Sequence, residues 1–262
     1  MQWLVAENIA YIVIGGGSNL LVQDKGIRGV VIDTSAGLKG LSVAAEGAVA
    51  MVVRAMAGEH LNRVCRFAID KGAAGLNFAI GIPGTVGGAI TMNAGTADGS
   101  IQDVLGQATI LFPDGRVEAL SKTSLAFEYR GLKYPAPYDE RHPPVILDGS
   151  FQLYPANPEE LAAEAAALLK KRQERQPKGG ASAGCFFRNP EIGEPAGALI
   201  DRAGMKGVCQ GDAQVSEMHA NFILNRGRAT AADILQLMAA VQAAVYDKFG
   251  ILLKPEVRIV GE

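Results

Sequence analysis

Gly81-Ile82-Pro83-Gly84-Thr85-Val86-Gly87-Gly88-Ala89 is the stretch on which the reading of the fold turns, and Asn93-Ala94-Gly95 follows it closely. A tight turn needs one or two glycines. Glycine at 81, 84, 87 and 88 strips side chains from a whole loop, while Pro83 stiffens it. Such a loop suits a flat or extended ligand lying against backbone; a crowded barrel corner is the competing reading. Far upstream, Ile14-Gly15-Gly16-Gly17-Ser18-Asn19-Leu20 forms a second cluster. Three glycines after a strand turn the chain sharply and aim successive N–H groups at one spot. Ser18 and Asn19 add side-chain hydrogen-bonding groups, so an anionic diphosphate fits there. The spacing is not the GxGxxG dinucleotide fingerprint, and a plain turn remains open at this point.

Composition narrows the classes. The chain has 262 residues, of which 48% are hydrophobic and 32 are glycine, against a usual glycine share of about 7%. It can bury a core and has no collagen period. The 25 Lys+Arg against 27 Asp+Glu, a formal net charge of −2, remove the electrostatic case for nucleic acid or a polybasic membrane surface. Cys65, Cys185 and Cys209 are odd in number and make no metal spacing with His60, His142 or His219, which reads as reduced thiols in a cytoplasmic protein. Met1–Ala10 has neither the basic start nor the cleavage site of a signal peptide. Gly72 to Ala97 carries no charge, yet its glycines, Pro83, Asn77 and Asn93 suit compact loops rather than a lipid-facing helix.

Short strands dominate the first part of the chain: Tyr11–Ile14, Leu20–Val22, Gly29–Ile32, Ala108–Leu111 and Val145–Leu147, with Pro113-Asp114-Gly115 as a turn. A helix is expected over Gly58–Lys71, where Leu61, Val64, Cys65 and Ala68 share a face. A second opens with Asn157 as cap, Pro158 in the first position and Glu159-Glu160 in the first turn, and reaches about Arg175. Pro177-Lys178-Gly179-Gly180 breaks the chain. A third helix runs Thr230–Phe249 with Thr230 and Asp233 as a capping box, Leu235, Met238, Val241, Val245 and Phe249 as its apolar stripe, and Gly250 as its stop. The irregular alternation predicts an α+β arrangement rather than a doubly wound parallel sheet. The expected domains are 1–176, 177–250, and a C-terminal segment, 251–262, whose strand, Leu252–Val260, returns to the first.

The two glycine clusters, read as Gly-Gly-Gly-Ser-Asn-Leu-Leu-Val and Gly-Ile-Pro-Gly-Thr-Val-Gly-Gly-Ala, resemble the FAD-binding half of the UDP-N-acetylenolpyruvoylglucosamine reductase family. The resemblance continues through Phe127-Glu128-Tyr129-Arg130, Ser182-Ala183-Gly184-Cys185-Phe186-Phe187-Arg188-Asn189-Pro190, Val215-Ser216-Glu217-Met218-His219-Ala220-Asn221 and Pro255-Glu256-Val257-Arg258, in the family's order. It implies a vanillyl-alcohol-oxidase-like (PCMH-type) FAD-binding domain with a separate α+β substrate-binding domain. It also implies non-covalent FAD, NADPH as co-substrate, and reduction of the enolpyruvyl group on a UDP-sugar in peptidoglycan synthesis, by a cytoplasmic monomer. The short link from Tyr129 to the strand near Ile146 places the chain with the family's shorter type, which lacks a long substrate-capping loop. The resemblance further implies strands and FAD contacts ahead of Gly15, where only fourteen residues stand in this sequence, so an N-terminally short FAD subdomain is expected.

Reducing an electron-poor enol ether needs a hydride donor, a group that stabilises the developing enolate and an acid that protonates the adjacent carbon. By motif, the catalytic positions fall on Arg130, Cys185 and Glu256. On residue grounds alone, a Tyr-Arg at a strand end is an ordinary surface pair, Glu256 a solvated carboxylate and Cys185 a packing residue. The resemblance implies that Arg130 forks onto the substrate carboxylate and that Glu256 bonds the same group or orients the donor. Cys185 then stands where the family commonly has serine and donates the proton. An unperturbed thiol titrates near about 8.5, mostly protonated at neutral pH yet more acidic than a hydroxyl. The implied FAD contacts are Gly15, Gly16, Gly17, Ser18, Asn19, Gly81, Ile82, Pro83, Gly84, Thr85, Gly87, Gly88, Asn93, Gly95 and Arg258. The implied UDP-sugar contacts are Tyr129, Arg175 and Asn189. Leu132 departs from a family serine and removes a hydroxyl. Two other readings stay open in the sequence: a non-catalytic UDP-sugar-binding module, and an FAD-dependent oxidase of the same fold.

Overall fold

The structure, a computed structural model, describes residues 1–135, 137–177 and 181–262. They form two compact units, one of residues 1–17 and 29–171 and the other of residues 18–28 and 172–262. Helices and strands are mixed in both, in the α+β manner that the irregular alternation predicts. The expected break at Lys178-Gly179-Gly180 lies outside the described residues.

The first unit is built on an antiparallel sheet in the order Val117–Ser121, Leu105–Leu111, Val145–Pro155, Met51–Met56, Leu41–Glu46, with Ala73–Ala74 joined to the end of the third strand. Alternation decides its inner face: Met51 and Val53 sit opposite Leu153 and Phe151, and all four are buried. Helix Leu61–Asp70 adds Leu61, Val64, Cys65 and Ala68 to this core, the face read from the sequence, and helix Val86–Thr91 adds Val86, Ala89 and Ile90. The strand expected at Val145–Leu147 runs on to Pro155. Asp148-Gly149-Ser150 looks like a break, but a register shift between Ile146 and Asp148 carries the strand past it. The buried Asp148 carboxylate is met by Arg54 Nη2 at 2.6 Å and by the Thr109 hydroxyl at 3.0 Å, which offsets the cost of removing it from water. Tyr11–Ile14 and Val30–Asp33 pair separately, in parallel.

In the second unit, Cys209–Gln210, Ala213–Val215 and Ile223–Asn225 form an antiparallel sheet, accompanied by helices Ala196–Arg202 and Ala231–Phe249. The capping box is formed as read: Asp233 N–H donates to Thr230 Oγ1 at 3.1 Å, and Thr230 N–H to the Asp233 carboxylate at 2.9 Å. Gly250 ends the helix with φ 69°, a conformation that glycine adopts without strain. The apolar stripe is corrected at one position. Leu237, Val241 and Val245, spaced by four, are buried, whereas Leu235 lies off that row and outside the core.

The unit boundaries also differ from those expected. Leu20–Val22 pairs in parallel with Arg258–Val260, and Leu21 packs on the core of the second unit. The Asp24 carboxylate accepts the N–H groups of Ala231 and Ala232 at 2.8 and 3.0 Å, capping a helix some two hundred positions away. Residues 18–28 and the C-terminal strand therefore belong to one unit. That strand is shorter than the Leu252–Val260 expected, because Pro255 has no N–H to offer a ladder. Replacing Leu237 by Ala should lower unfolding free energy by about 2–5 kcal/mol, while Leu235→Ala costs under about 1 kcal/mol. Urea denaturation of the two variants checks the assignment.

Candidate functional site

In the first unit, the two glycine clusters meet. A Cβ on Gly15 would lie 2.0 Å from Thr85 Oγ1, and one on Gly16 would lie 3.1 Å from Gly84 Cα. Gly84 itself has φ 110°, which disfavours any residue with a side chain. The loop is stitched to the helix beside it. Leu61 N–H donates to Gly84 C=O at 3.0 Å, Val86 N–H to Glu59 C=O at 2.9 Å and Gly87 N–H to Ala57 C=O at 2.8 Å. Asn62 closes the other end: its Oδ1 accepts Gly81 N–H at 2.6 Å and its Nδ2 donates to Ile82 C=O at 3.2 Å. Asn62 escapes a reading of the sequence, because a polar residue in a first helical turn carries no signal of a distant loop.

Asn93-Ala94-Gly95 leads from this loop to Arg130. The buried Asn93 donates from Nδ2 to Glu128 C=O at 3.2 Å and accepts Gln102 N–H at 3.0 Å. Gly95 C=O accepts Arg130 Nη2 at 2.9 Å. Arg130 occupies the two-residue turn between the paired strands Ala126–Glu128 and Gly131–Lys133, with φ 57°. A non-glycine residue held there costs of order 1–3 kcal/mol and marks a position worth functional attention. Its guanidinium carbon lies 5.0 Å from the centre of the exposed Tyr129 ring.

In the second unit, Gly184 (φ 80°) introduces Cys185, whose segment runs between two others. Phe186 N–H donates to Asn221 C=O at 2.7 Å, and Glu256 N–H donates to Phe186 C=O at 2.8 Å. Asn19 Nδ2 donates to Glu256 C=O at 3.1 Å, and Arg258 N–H to Asn19 C=O at 3.0 Å. Cys185, Glu256, Asn19 and Arg258 thus share one backbone frame. Asn189 accepts the Ala196 N–H at 3.0 Å, bonding the start of helix Ala196–Arg202, and Arg175 is exposed in the last turn of helix Pro158–Arg175. Burial, with the Lys206 ammonium nearby, holds the His219 imidazole below its usual pKa, and its Nδ1 accepts Asn221 N–H at 3.3 Å. Burial pushes the Cys65 thiol up to about 12, which leaves it protonated and unreactive. No disulfide and no His/Cys/Asp/Glu cluster able to hold a metal is present among the described residues.

Residues 1–121 match the FAD binding domain family, and residues 176–260 match the UDP-N-acetylenolpyruvoylglucosamine reductase C-terminal domain. A reductase of that name from Desulfosudis oleivorans is 48% identical over 260 residues, 98% of this chain and 82% of that protein. The chain belongs to the UDP-N-acetylenolpyruvoylglucosamine reductase family. Its relative of the same name from Agathobacter rectalis is 44% identical over 257 residues, covering 95% of this chain and 80% of the other. The crystal structure of the Thermus caldophilus family member superposes with a TM-score of 0.78 at 34% identity, covering 99% of this chain and 90% of that one.

The first unit carries features that fit FAD. Glycines 15 and 16 leave backbone bare where a Cβ would intrude, and Thr85 Oγ1, in a residue 1% exposed, has no hydrogen-bond partner among the described residues. A buried hydroxyl without a partner is costly unless a ligand or water completes it. Gly15→Ala should destabilise the protein by about 1–3 kcal/mol through the clash with that hydroxyl, and adding Thr85→Ala should recover most of the loss. Thermal melts of the single and double variants test this close approach.

Proposed function

We propose that this chain is an NADPH-dependent flavoenzyme that reduces UDP-N-acetylglucosamine enolpyruvate to UDP-N-acetylmuramate in peptidoglycan synthesis. The observation that carries the reading is the membership of the family together with an Ala-Gly-Cys185-Phe-Phe-Arg-Asn-Pro segment bonded through Phe186 to Glu256. Bound FAD supplies hydride chemistry, recharged by NADPH. The protein's own residues do the rest.

Arg130 supplies a permanent positive charge for the substrate carboxylate, where negative charge collects as the double bond is reduced. Its guanidinium is pre-oriented by Gly95 C=O and by the Tyr129 ring, so little side-chain freedom is lost on binding. Cys185 holds the proton destined for the carbon next to the site of reduction. Cys185 is half-buried on a segment bonded on both sides through Phe186, which limits the positions from which it delivers that proton. Glu256, on the neighbouring segment, bonds the carboxylate or orients the donor. Tyr129, Arg175 and Asn189 contact the UDP-sugar, Asn189 through its amide NH2, since its oxygen serves helix Ala196–Arg202. Gly15 to Asn19, the 81–88 loop, Asn93, Gly95 and Arg258 serve FAD. For Asn93 that role falls to backbone, because its side chain is engaged with Glu128 and Gln102.

The same reading makes the protein a cytoplasmic monomer whose partner is a UDP-sugar and not nucleic acid. The near balance of 25 basic and 27 acidic residues supports it, and no helix among the described residues is long and apolar enough to cross a membrane. Purified protein should be yellow, bleach with NADPH and recolour on adding the enolpyruvyl UDP-sugar; protein that cannot take up FAD would sink the reading. Cys185→Ala should bleach normally but recolour on the order of a hundredfold more slowly, whereas Cys185→Ser should keep substantial turnover. Stopped-flow absorbance separates the two half-reactions, and normal recolouring in the alanine variant would remove Cys185 from the chemistry.

A further inference from the structure

We infer that Asn221 is a positioning residue for the proton donor, its side-chain amide standing in for a strand beside Cys185-Phe186-Phe187; the inference rests on the functional reading above. The segment Val215–Asn221 has no part in the chemistry so far described. Yet it borders the donor strand. Cys185 pairs across to Phe222, and Phe186 N–H donates to Asn221 C=O at 2.7 Å. At Phe187 the pairing is made by a side chain instead of backbone. Asn221 Oδ1 accepts Phe187 N–H at 2.9 Å, and its Nδ2 donates to Phe187 C=O at 2.8 Å.

A primary amide carries one acceptor and donors on the same plane, the layout of a peptide group, and an ionised carboxylate, which only accepts, cannot serve both partners. Asn221 is 3% exposed, so both bonds are made away from water, where leaving either unmade is expensive. On the far side of the same strand, Glu256 N–H bonds Phe186 C=O and Phe187 pairs with Pro255. Asn221 therefore sets the register of the frame that holds both Cys185 and Glu256, although it is placed in neither role. Small displacements of a donor from its acceptor carbon are heavily penalised in rate.

Asn221→Asp tests this within a single protein. Ionised, the aspartate turns a second acceptor toward Phe187 C=O; protonated, it regains one O–H donor. The ionisable residues on adjoining segments are Cys185 and Arg188, Glu217 and His219, Lys254, Glu256 and Arg258, and Asp201 and Arg202 on helix Ala196–Arg202, whose Gly197 would place a Cβ 3.6 Å from that of Asn221. Wild type measured at each pH serves as the baseline for them all. The expected result is bleaching by NADPH within about twofold of wild type, with substrate-dependent recolouring slowed about tenfold at about pH 8 and the gap closing on acidification. Asn221→Leu, with no donor at any pH, should be slowed without recovery. An aspartate variant that recolours at the wild-type rate at about pH 8, or whose deficit ignores pH, overturns the proposal. If wild type itself does not recolour, the functional reading alone has failed. Positioning is then read from Cys185 alkylation by iodoacetamide, resolved by peptide mass spectrometry. An Asn221→Asp to wild-type rate ratio that departs from one at about pH 8 and returns on acidification supports the inference, and a ratio of one throughout overturns it.

Discussion

The first unit depends on a place where two stretches of backbone touch. Gly15 and Gly16, at the end of strand Tyr11–Ile14, lie against Gly84 and Thr85 with no room for a Cβ at Gly15 and almost none at Gly16. This approach leaves the buried Thr85 hydroxyl beside bare glycine backbone. The loop cannot hold that shape alone. It is tied to the start of helix Leu61–Asp70 by Leu61, Asn62 and the backbone of Ala57 and Glu59, and that helix is itself buried against the sheet through Leu61, Val64 and Cys65. The backbone surface proposed for FAD thus draws its rigidity from a hydrophobic core behind it.

Arg130 shows the same economy. The turn that carries it is strained at φ 57°, and its strand neighbour Glu128 is bonded to Asn93, in the turn that follows the glycine-rich loop. The second unit solves its own version of the problem with strands. Cys185 lies on a short segment bonded on one side to Asn221 and on the other to Glu256, and Phe186 and Phe187 fix that segment from below by entering the core. In both units the side chains proposed to react stand beside backbone bonded to a buried asparagine, Asn93 in the first and Asn221 in the second.

Local elements were legible in the sequence wherever the signal was local. Asn157 and Pro158 start helix Pro158–Arg175, Thr230 and Asp233 cap helix Ala231–Phe249, and Gly250 ends it, because caps act through bonds a few residues long. The face of helix Leu61–Asp70 and the family motifs were readable for the same reason. What involved distant partners was not. The strand through Asp148 continues past a register shift, with Arg54 and Thr109 satisfying that buried carboxylate, and Leu237 rather than Leu235 faces the core because of where the neighbouring elements lie.

The sequence by itself determined the chemistry available to this protein: two glycine-rich loops, a guanidinium at 130, a thiol at 185, a carboxylate at 256 and the order of motifs that joins them to one family. Only the tertiary structure decided that Gly15 and Gly16 close on Gly84 and Thr85, that residues 18–28 belong with the C-terminal strand, and that Asn221 completes the strand bearing Cys185. The division has a physical cause. Residue type and spacing specify which groups exist and which short-range bonds they make, whereas close approach and buried pairing depend on the free energy of the whole fold, which no segment contains alone.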